Sequence, residues 1–208
     1  MKNICFINGS LRGREASSLL FINFINGMLA DTKFKQEIIN VRPKAKEGYP
    51  EDDLETISRA DAIVVVFPLF VYGIPGALMR LLEDFYSYAK GHDYNKAAGI
   101  YIVVNGGFPR PEIMSELIRV MKNFCSRLSL NWRFAICIGG GPFAAMTLKA
   151  PLLRIKYKRV FSSLAADIAN GDTGQKEDYF IKPLIPEPVI LWIKAQYEKK
   201  MKASAAGK

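Results

Sequence analysis

The residues best suited to bind an anion lie within the first twenty positions of the chain. Ser10 and Arg12 follow a short apolar run, and Ser17 and Ser18 open a segment whose hydrophobic residues recur at helical spacing. Hydroxyl groups, a guanidinium and the N–H groups at a helix start together favour a phosphate. The alternative is an ordinary turn between a strand and a helix, with Ser17 or Ser18 as the N-cap.

A second stretch places apolar side chains in a connection, where polar residues are usual. It follows the apolar run that ends at Phe67, and it contains Pro68, Leu69, Phe70, Tyr72, Gly73 and Pro75. The prolines stiffen the backbone, and the large side chains between them suit one face or edge of a flat ring. The alternative is that these side chains only cap the core.

A third stretch combines an amide with two glycines. Asn105 can both donate and accept hydrogen bonds, and Gly106 and Gly107 permit close approach of the backbone to a ligand. A phosphate site at one end and a planar heterocycle at the other describe a mononucleotide such as FMN.

Conventional catalytic groups are scarce. Cys5, Cys125 and Cys137 are scattered through apolar segments without the spacing of a dithiol or a metal site, so we expect buried, reduced thiols. The single histidine, His92, lies in a polar stretch and is interpreted as a loop residue. Any chemistry at the three stretches would therefore come from a bound cofactor.

The elements that must position these stretches alternate between strand and helix. Strands are predicted at 4–7, 34–41, 62–67, 99–104 and 134–138, and helices after Ser17, at 52–59, from Pro75, at 112–128 and at 152–169. Because parallel crossovers are right-handed, the economical fold is α/β, with one five-stranded parallel sheet and helices on both faces. The strand at 34–41 is interrupted by charges and is expected at an edge. Ligands bind such sheets at the carboxyl ends of the strands, where the three stretches should meet.

Length, composition and charge limit the number of domains, the location and the partners that can be expected. A chain of 208 residues with 50% hydrophobic content suits a single domain, 1–208, with 183–208 as a C-terminal extension. No run approaches the roughly 18 apolar residues of a membrane span, and the first strand leaves no room for a signal peptide, so a cytoplasmic location is expected. The formal charge of +9 attracts phosphorylated molecules, nucleic acid or acidic membranes and favours none of them by itself.

The three stretches resemble those of the flavodoxin-like NAD(P)H-dependent FMN reductase family. The matching features are G-S-x-R with a hydroxyl residue at the helix start, a Pro-x-aromatic loop closed by a second proline, and a Gly-Gly loop, within Lys2 to about Gly139. The resemblance implies a three-layer sandwich with strand order 2-1-3-4-5, bound FMN, NAD(P)H as co-substrate and a homodimer.

It also implies roles for individual residues. Ser10, Arg12, Ser17 and Ser18 would contact the FMN phosphate, and Pro68, Leu69, Phe70 and Tyr72 would lie against the isoalloxazine ring. Backbone N–H groups near Tyr72 and Gly73 would approach N5 or O4. Asn105 would lie at the far edge of the ring, with Gly106 and Gly107 near N3 and O2.

The function implied is an oxidoreductase in which hydride passes from NAD(P)H to flavin N5 and electrons continue to a quinone, a free flavin or another small acceptor. Two alternatives remain. A flavodoxin-like electron carrier ranks lower because such carriers are acidic, and an interaction domain without flavin is suggested by Glu15, a carboxylate beside the phosphate site. For the apolar and then cationic segment 189–202, a helix packed on the body or across a dimer is favoured over a membrane-surface helix.

Overall fold

The sheet is built from strands that carry almost uninterrupted apolar sequence. The computed structural model describes residues 1–12, 16–29, 34–41, 47–141, 154–171 and 176–183, and a few single positions between 148 and 196. The strands are β1 (Lys2–Asn8), β2 (Phe34–Asn40), β3 (Ala62–Pro68), β4 (Gly99–Asn105), β5 (Asn131–Ile138) and β6 (Tyr179–Ile181). They form one parallel sheet in the order β2-β1-β3-β4-β5-β6.

Helices cover both faces of this sheet, as its doubly buried strands require. They are α1 (Ser17–Leu29), α2 (Glu51–Ser58), α3 (Gly76–Tyr88), α4 (Ser115–Arg127) and α5 (Ile155–Asn170), with a 3₁₀ turn at Pro111–Met114. One hydrophobic core lies between the sheet and α2, α3 and α4, and the other lies between the sheet and α1 and α5. The molecule therefore has three layers, with the sheet in the middle.

The predicted strand order is confirmed, and β2 lies at the edge as expected. The prediction of five strands was wrong, because β6 adds a sixth beside β5. This strand has only three residues, one of them the exposed Phe180, so it leaves no periodic signal.

Several boundaries differ by a few residues. Ser17 and Ser18 are the first two residues of α1, so neither is its N-cap, and Pro75 precedes α3 at the N-cap position. The helix predicted at 112–128 begins as the 3₁₀ turn. The predicted start of the last helix, at 152, lies outside the described residues.

Two further features concern surfaces. Within the described ranges, every helix is too short or too polar to cross a membrane. Near the C-terminus, the side chains of Val189 and Trp192 are 44% and 63% exposed.

Candidate functional site

The three stretches singled out above are adjacent in space. In the sheet register Asn8 pairs with Val66, and Pro68 pairs with Asn105, so β1, β3 and β4 end within about two residues of one another. The loop after β3 is joined to β4 by a hydrogen bond from Leu69 N to the Asn105 carbonyl, at 2.8 Å. The first, second and third loops, which follow β1, β3 and β4, thus share one edge of the sheet.

The first loop turns where a side chain would not fit. A Cβ on Gly9 would lie 2.6 Å from Cβ of Phe67 and 2.8 Å from Cδ2 of Leu78, both closer than van der Waals contact allows. Ser10 is 5% exposed, and its hydroxyl oxygen accepts a hydrogen bond from Arg12 N at 3.3 Å. The loop is therefore held against the body before it reaches Arg12.

Asn8 ties this loop to its surroundings, and its role was not predicted from the sequence. Its Oδ1 accepts hydrogen bonds from the Ser18 hydroxyl at 2.5 Å and from Ser10 N at 3.3 Å, while its Nδ2 donates to Asn40 Oδ1 at 2.8 Å. Ser18 is buried, and its hydroxyl proton is already directed at Asn8. An asparagine at a strand end directly before the turn was the available signal, since Asn commonly bonds to backbone nearby.

Arg12 and Ser17 are the accessible members of the first group. The Arg12 side chain is exposed and Ser17 is half-buried at the first position of α1. The first turn of α1 contains no acidic residue, and its leading N–H groups have no partner inside the helix. This arrangement suits an anion. Glu15 lies outside the described residues.

The second loop closes on itself in a turn of unusual backbone geometry. Phe70 N donates to Gly73 O at 3.0 Å and Gly73 N donates to Phe70 O at 2.8 Å. Between them Val71 and Tyr72 have φ values of 44° and 62°, the pattern of a type I′ turn. Glycine and asparagine favour these angles, whereas a β-branched valine is strained there.

This turn projects apolar side chains into solvent. Phe70, Val71 and Tyr72 are 64%, 82% and 62% exposed, although the base of the loop is packed on the core through Leu69 and Ile74. A rigid base with an exposed apolar tip is typical of a binding surface.

Phe108 extends that apolar surface and was not predicted from the sequence. Its ring stacks on Tyr72, with centroids 5.5 Å apart and an interplanar angle of 20°. Its carbonyl accepts a hydrogen bond from Gly140 N at 2.7 Å, which fixes the third loop against the loop after β5. The only available signal was an aromatic residue directly after Gly106 and Gly107. The stacked pair offers a platform for another planar ring.

In the third loop, Asn105 contains a buried acceptor that lacks a donor. The residue is 7% exposed, and its Oδ1 has no hydrogen-bond partner within the described structure. An unsatisfied buried acceptor costs on the order of 1–3 kcal/mol, so such groups are rare away from functional sites. An N–H or O–H group of a bound molecule would satisfy this atom, although Asn26 Oδ1 within α1 is also buried without a partner in the described structure.

The two glycines of the third loop differ from each other. A Cβ on Gly106 would lie 2.6 Å from Cε of Met114, and Gly106 N already donates to Ile138 O at 2.9 Å. Gly106 therefore packs closely on the flexible end of Met114, and its expected place near N3 and O2 of the ring stays a prediction. Gly107 is exposed, and within the described structure no atom lies within 4 Å of the position that a Cβ would take there, so it remains open to a ligand.

Other reactive groups lie away from this edge. Cys5, Cys125 and Cys137 are free and buried, as predicted, and burial raises the pKa of each thiol to about 12. His92 follows α3 at the opposite edge, where Nδ1 lies 3.0 Å from Tyr88 O. Within the described part of the chain, no group of three His, Cys, Asp or Glu residues could hold a metal ion.

Comparison with solved structures identifies the fold. An apo NADH:FMN oxidoreductase superposes with a TM-score of 0.63 at 12% identity, covering 82% of this chain and 90% of that one. An NAD(P)H:quinone oxidoreductase from Methanothermobacter marburgensis gives 0.60 at 15% identity, with coverage of 78% and 96%. General stress protein 14 from Treponema denticola, solved in complex with FMN, gives 0.59 at 12% identity, with coverage of 81% and 99%. The chain has the flavodoxin-like fold.

No protein-family model and no curated protein matches the sequence. In the flavodoxin-like fold the strand order reverses between β1 and β3, and ligands bind outside the carboxyl ends of the strands at that point. The loops that carry Arg12, the Phe70–Gly73 turn and Asn105 border this position in the chain.

Proposed function

We propose that this chain is an FMN-dependent NAD(P)H oxidoreductase that reduces a quinone, a flavin or another small acceptor. The observation that carries the proposal is Asn105 Oδ1, which is buried and has no partner among the described residues. Asn105 ends β4 at the carboxyl edge of a flavodoxin-like sheet, where its backbone carbonyl accepts a hydrogen bond from Leu69 at the base of the exposed aromatic turn. Structural neighbours with NADH:FMN and quinone oxidoreductase activities support the same function.

The phosphate of FMN would bind at the first loop. Arg12 supplies a guanidinium, Ser10 and Ser17 supply hydroxyl groups, and the start of α1 supplies backbone N–H groups. Because the Ser18 hydroxyl donates to Asn8, we assign its backbone N–H, rather than the hydroxyl, to the phosphate. Asn8 acts as a positioning residue for this loop.

The ring would lie against the second loop, with Pro68, Leu69, Phe70 and Tyr72 as its apolar wall and Phe108 as an addition. Gly73 N donates to Phe70 O inside the turn, so the Tyr72 N–H is left for a ring nitrogen or oxygen. The exposed aromatic tip also offers stacking area to a planar acceptor.

Asn105 and Gly107 would meet the polar edge of the ring. The pyrimidine part of an isoalloxazine presents an N–H donor between two carbonyl acceptors. Asn105 Oδ1 is a buried acceptor that lacks this donor, and the open space at Gly107 admits the edge. The residues present therefore fit FMN.

When bound, FMN supplies the chemistry that moves hydride and electrons between NAD(P)H and the acceptor. The chain binds and orients the cofactor and covers part of the ring from water. The chain is expected to bind rather than to react, because its conventional catalytic groups are not placed for chemistry at this edge. His92 lies at the opposite edge, and burial raises the pKa of the three thiols.

Three wider features belong to the proposal. A homodimer is favoured by the exposed Phe70, Val71 and Tyr72, which form an apolar surface. A cytoplasmic location is favoured by three free thiols. A single domain over 1–208, with 183–208 as a C-terminal extension, is favoured by the one sheet that both cores share.

The decisive experiment is the visible spectrum of the purified protein, followed by titration of the FMN-stripped protein with FMN and measurement of fluorescence quenching. We expect flavin bands and saturable quenching at micromolar FMN. The Arg12→Gln variant should bind FMN more weakly, whereas Lys96→Gln, an equal change of charge before β4 at the opposite edge, should bind it normally.

Two results would replace this function with an alternative. Absence of saturable quenching would favour the interaction domain without flavin. FMN binding without oxidation of NADH or NADPH, in the presence of quinone, free flavin and azo acceptors, would favour the electron carrier.

A further inference from the structure

A group of exposed cations lies beside the candidate site and has no role in the function proposed above. We call it the cationic patch. It consists of four residues at the start of α5, one residue after β6 and one in the third loop: Arg154, Lys156, Lys158, Arg159, Lys182 and Arg110.

Side-chain contacts connect these elements to one another. Lys156 Nζ donates to the Lys182 carbonyl at 2.9 Å, and Lys182 Nζ lies 3.2 Å from Glu112 Oε1. A backbone hydrogen bond, followed by Lys182 and Arg110, holds the pKa of Glu112 below its usual range. Through Lys156, Lys182 and Glu112, these contacts join the start of α5, the chain after β6 and the 3₁₀ turn that follows the third loop.

The start of α5 is level with the start of α1. The Phe161 ring contacts Phe21 and Phe24, with centroids 5.9 Å and 5.6 Å apart. At 1.5 Å per residue, Ile155 lies about 9 Å before Phe161, and Ser17 lies a similar distance before these α1 rings. Both helices therefore begin at the carboxyl edge of the sheet, where the first loop is located.

The patch also lies next to the aromatic platform. Arg110 follows Phe108 by two residues, so their Cα atoms are at most about 7 Å apart. A ligand whose ring contacts the stacked Tyr72 and Phe108 could place charged groups on the cationic patch without leaving this edge.

The α5 part of the patch concentrates positive charge at an unfavourable place. Cations at the start of a helix are repelled by the positive end of its dipole. Acidic residues in the first turn would offset this repulsion, but the first turn of α5 contains none. Glu112 forms an ion pair with Lys182, which lies after β6 and not at the start of α5. A ligand with several negative charges would offset the repulsion at the start of α5.

We propose that the cationic patch binds the phosphates of the nicotinamide dinucleotide and that the chain consequently prefers NADPH to NADH. This inference rests on the proposed function. The FMN phosphate is matched by Arg12 and the first loop, whereas NADPH adds a pyrophosphate and a 2′-phosphate, together about four negative charges. The position of the patch beside the aromatic platform favours the dinucleotide over an extended polyanion.

The test compares KM values of the FMN-loaded protein for NADPH and NADH. In the Lys156→Gln/Lys182→Gln double variant, KM for NADPH should rise about tenfold, since each exposed contact contributes up to about fivefold, while kcat stays constant. KM for NADH should rise less, because NADH lacks the 2′-phosphate. The control is Lys90→Gln/Lys96→Gln, two exposed lysines near the opposite edge, which should leave both KM values unchanged.

A second measurement separates this proposal from the proposed function. Adenosine 2′,5′-bisphosphate, which has no nicotinamide, is titrated calorimetrically into the protein as purified. Binding that weakens with salt and in the double variant supports the patch even if no hydride transfer occurs. Equal KM values for NADPH in wild type and double variant would overturn it while leaving the function intact. Loss of binding to anionic lipid vesicles in the variant, with KM unchanged, would assign the patch to a membrane surface instead.

Discussion

Buried polar groups differ between the two edges of the sheet, the one at the amino ends and the one at the carboxyl ends of the strands. At the amino edge, the carboxylate of Asp167 is 1% exposed and accepts hydrogen bonds from Arg133 Nε and Nη2, at 2.8 and 2.9 Å, and from the Tyr101 hydroxyl at 2.8 Å. Lys176 Nζ lies 2.7 Å away. At the carboxyl edge, Asn105 Oδ1 is buried without a partner among the described residues.

The end of α5 repeats the pattern of the amino edge. Lys2 Nζ donates to the carbonyls of Ile168 and Ala169, at 3.2 and 3.1 Å, which places a cation at the negative end of the helix. The other end of α5 carries the cationic patch at the positive end. The amino edge thus pairs its buried charges within the chain, whereas the carboxyl edge carries exposed cations and, among the described residues, the buried Asn105 Oδ1 without a partner.

The largest expected effect comes from breaking the satisfied edge. In the Asp167→Asn variant, the buried Arg133 loses its compensating charge, and we expect the free energy of unfolding to fall by about 3–5 kcal/mol. For a chain of this length the melting temperature should fall by on the order of 10 °C. Urea and thermal unfolding measure the change. FMN affinity well below the melting temperature should be unaffected.

The control is Glu116→Gln, which removes an exposed pair with Arg119 and should cost at most about 1 kcal/mol. Burial favours a raised pKa for Asp167, but hydrogen bonds from Arg133, Lys176 and Tyr101 together hold it below its ordinary value. Its contribution is therefore complete above pH of about 4 and lost as pH falls through the lowered pKa. An Asp167→Asn protein within about 1 kcal/mol of wild type would remove this comparison.

The next prediction separates packing from ligand access at the carboxyl edge. Gly139→Ala would place a Cβ 2.5 Å from the carbonyl oxygen of Pro109, a backbone atom that cannot move aside as a side chain can, and should lower the free energy of unfolding by about 1–3 kcal/mol. Gly107→Ala meets open space and should change stability by less than about 0.5 kcal/mol. We expect Gly107→Ala to weaken FMN binding despite this, as measured by quenching titration. Equal stability of the two variants would contradict the assigned roles.

The architecture was predictable because it depends on local pattern. Six apolar residues at 62–67 predicted the central strand, and all of them are buried. The position of the site followed from topology, since loops after parallel strands meet at one edge. Residue types and topology together therefore led to Arg12, the second loop and Asn105 as candidates.

The unpredicted features depend on contacts between distant residues. Asp167 and Arg133 are 34 positions apart, and neither lies in a motif. The packing role of Gly106 depends on Met114, and the stacking of Phe108 depends on a turn at Val71 and Tyr72 whose sequence is atypical of type I′. Such pairings are set by tertiary packing, which single-residue preferences do not encode.

A smaller effect is expected at the unsatisfied acceptor. Asn105→Leu removes a buried polar atom that has no partner in the described structure, so the ligand-free protein should keep its stability or gain up to about 1 kcal/mol. FMN affinity should fall about tenfold, because a hydrogen bond to the ring edge is lost. A variant that is more stable but binds FMN more weakly is what we expect when a residue serves a ligand rather than the core. A clear loss of stability with FMN affinity unchanged would assign Asn105 to the core instead.

The smallest effect concerns strain in the second loop. Val71 has φ of 44° and is 82% exposed, so no packing of its side chain compensates the backbone energy. Val71→Asn should raise the free energy of unfolding by about 1 kcal/mol, because Asn tolerates this conformation. The control is Val120→Asn on the exposed face of α4, where the two residues have similar helix propensity and no gain is expected. If Val71→Asn is more stable but binds FMN or the acceptor more weakly, the strained valine is kept because its exposed side chain contacts the ligand. If neither the free energy of unfolding nor ligand binding changes, the hydrogen bonds between Phe70 and Gly73 are enough to set the turn. The contrast between the two edges of the sheet would then depend on Asn105 alone.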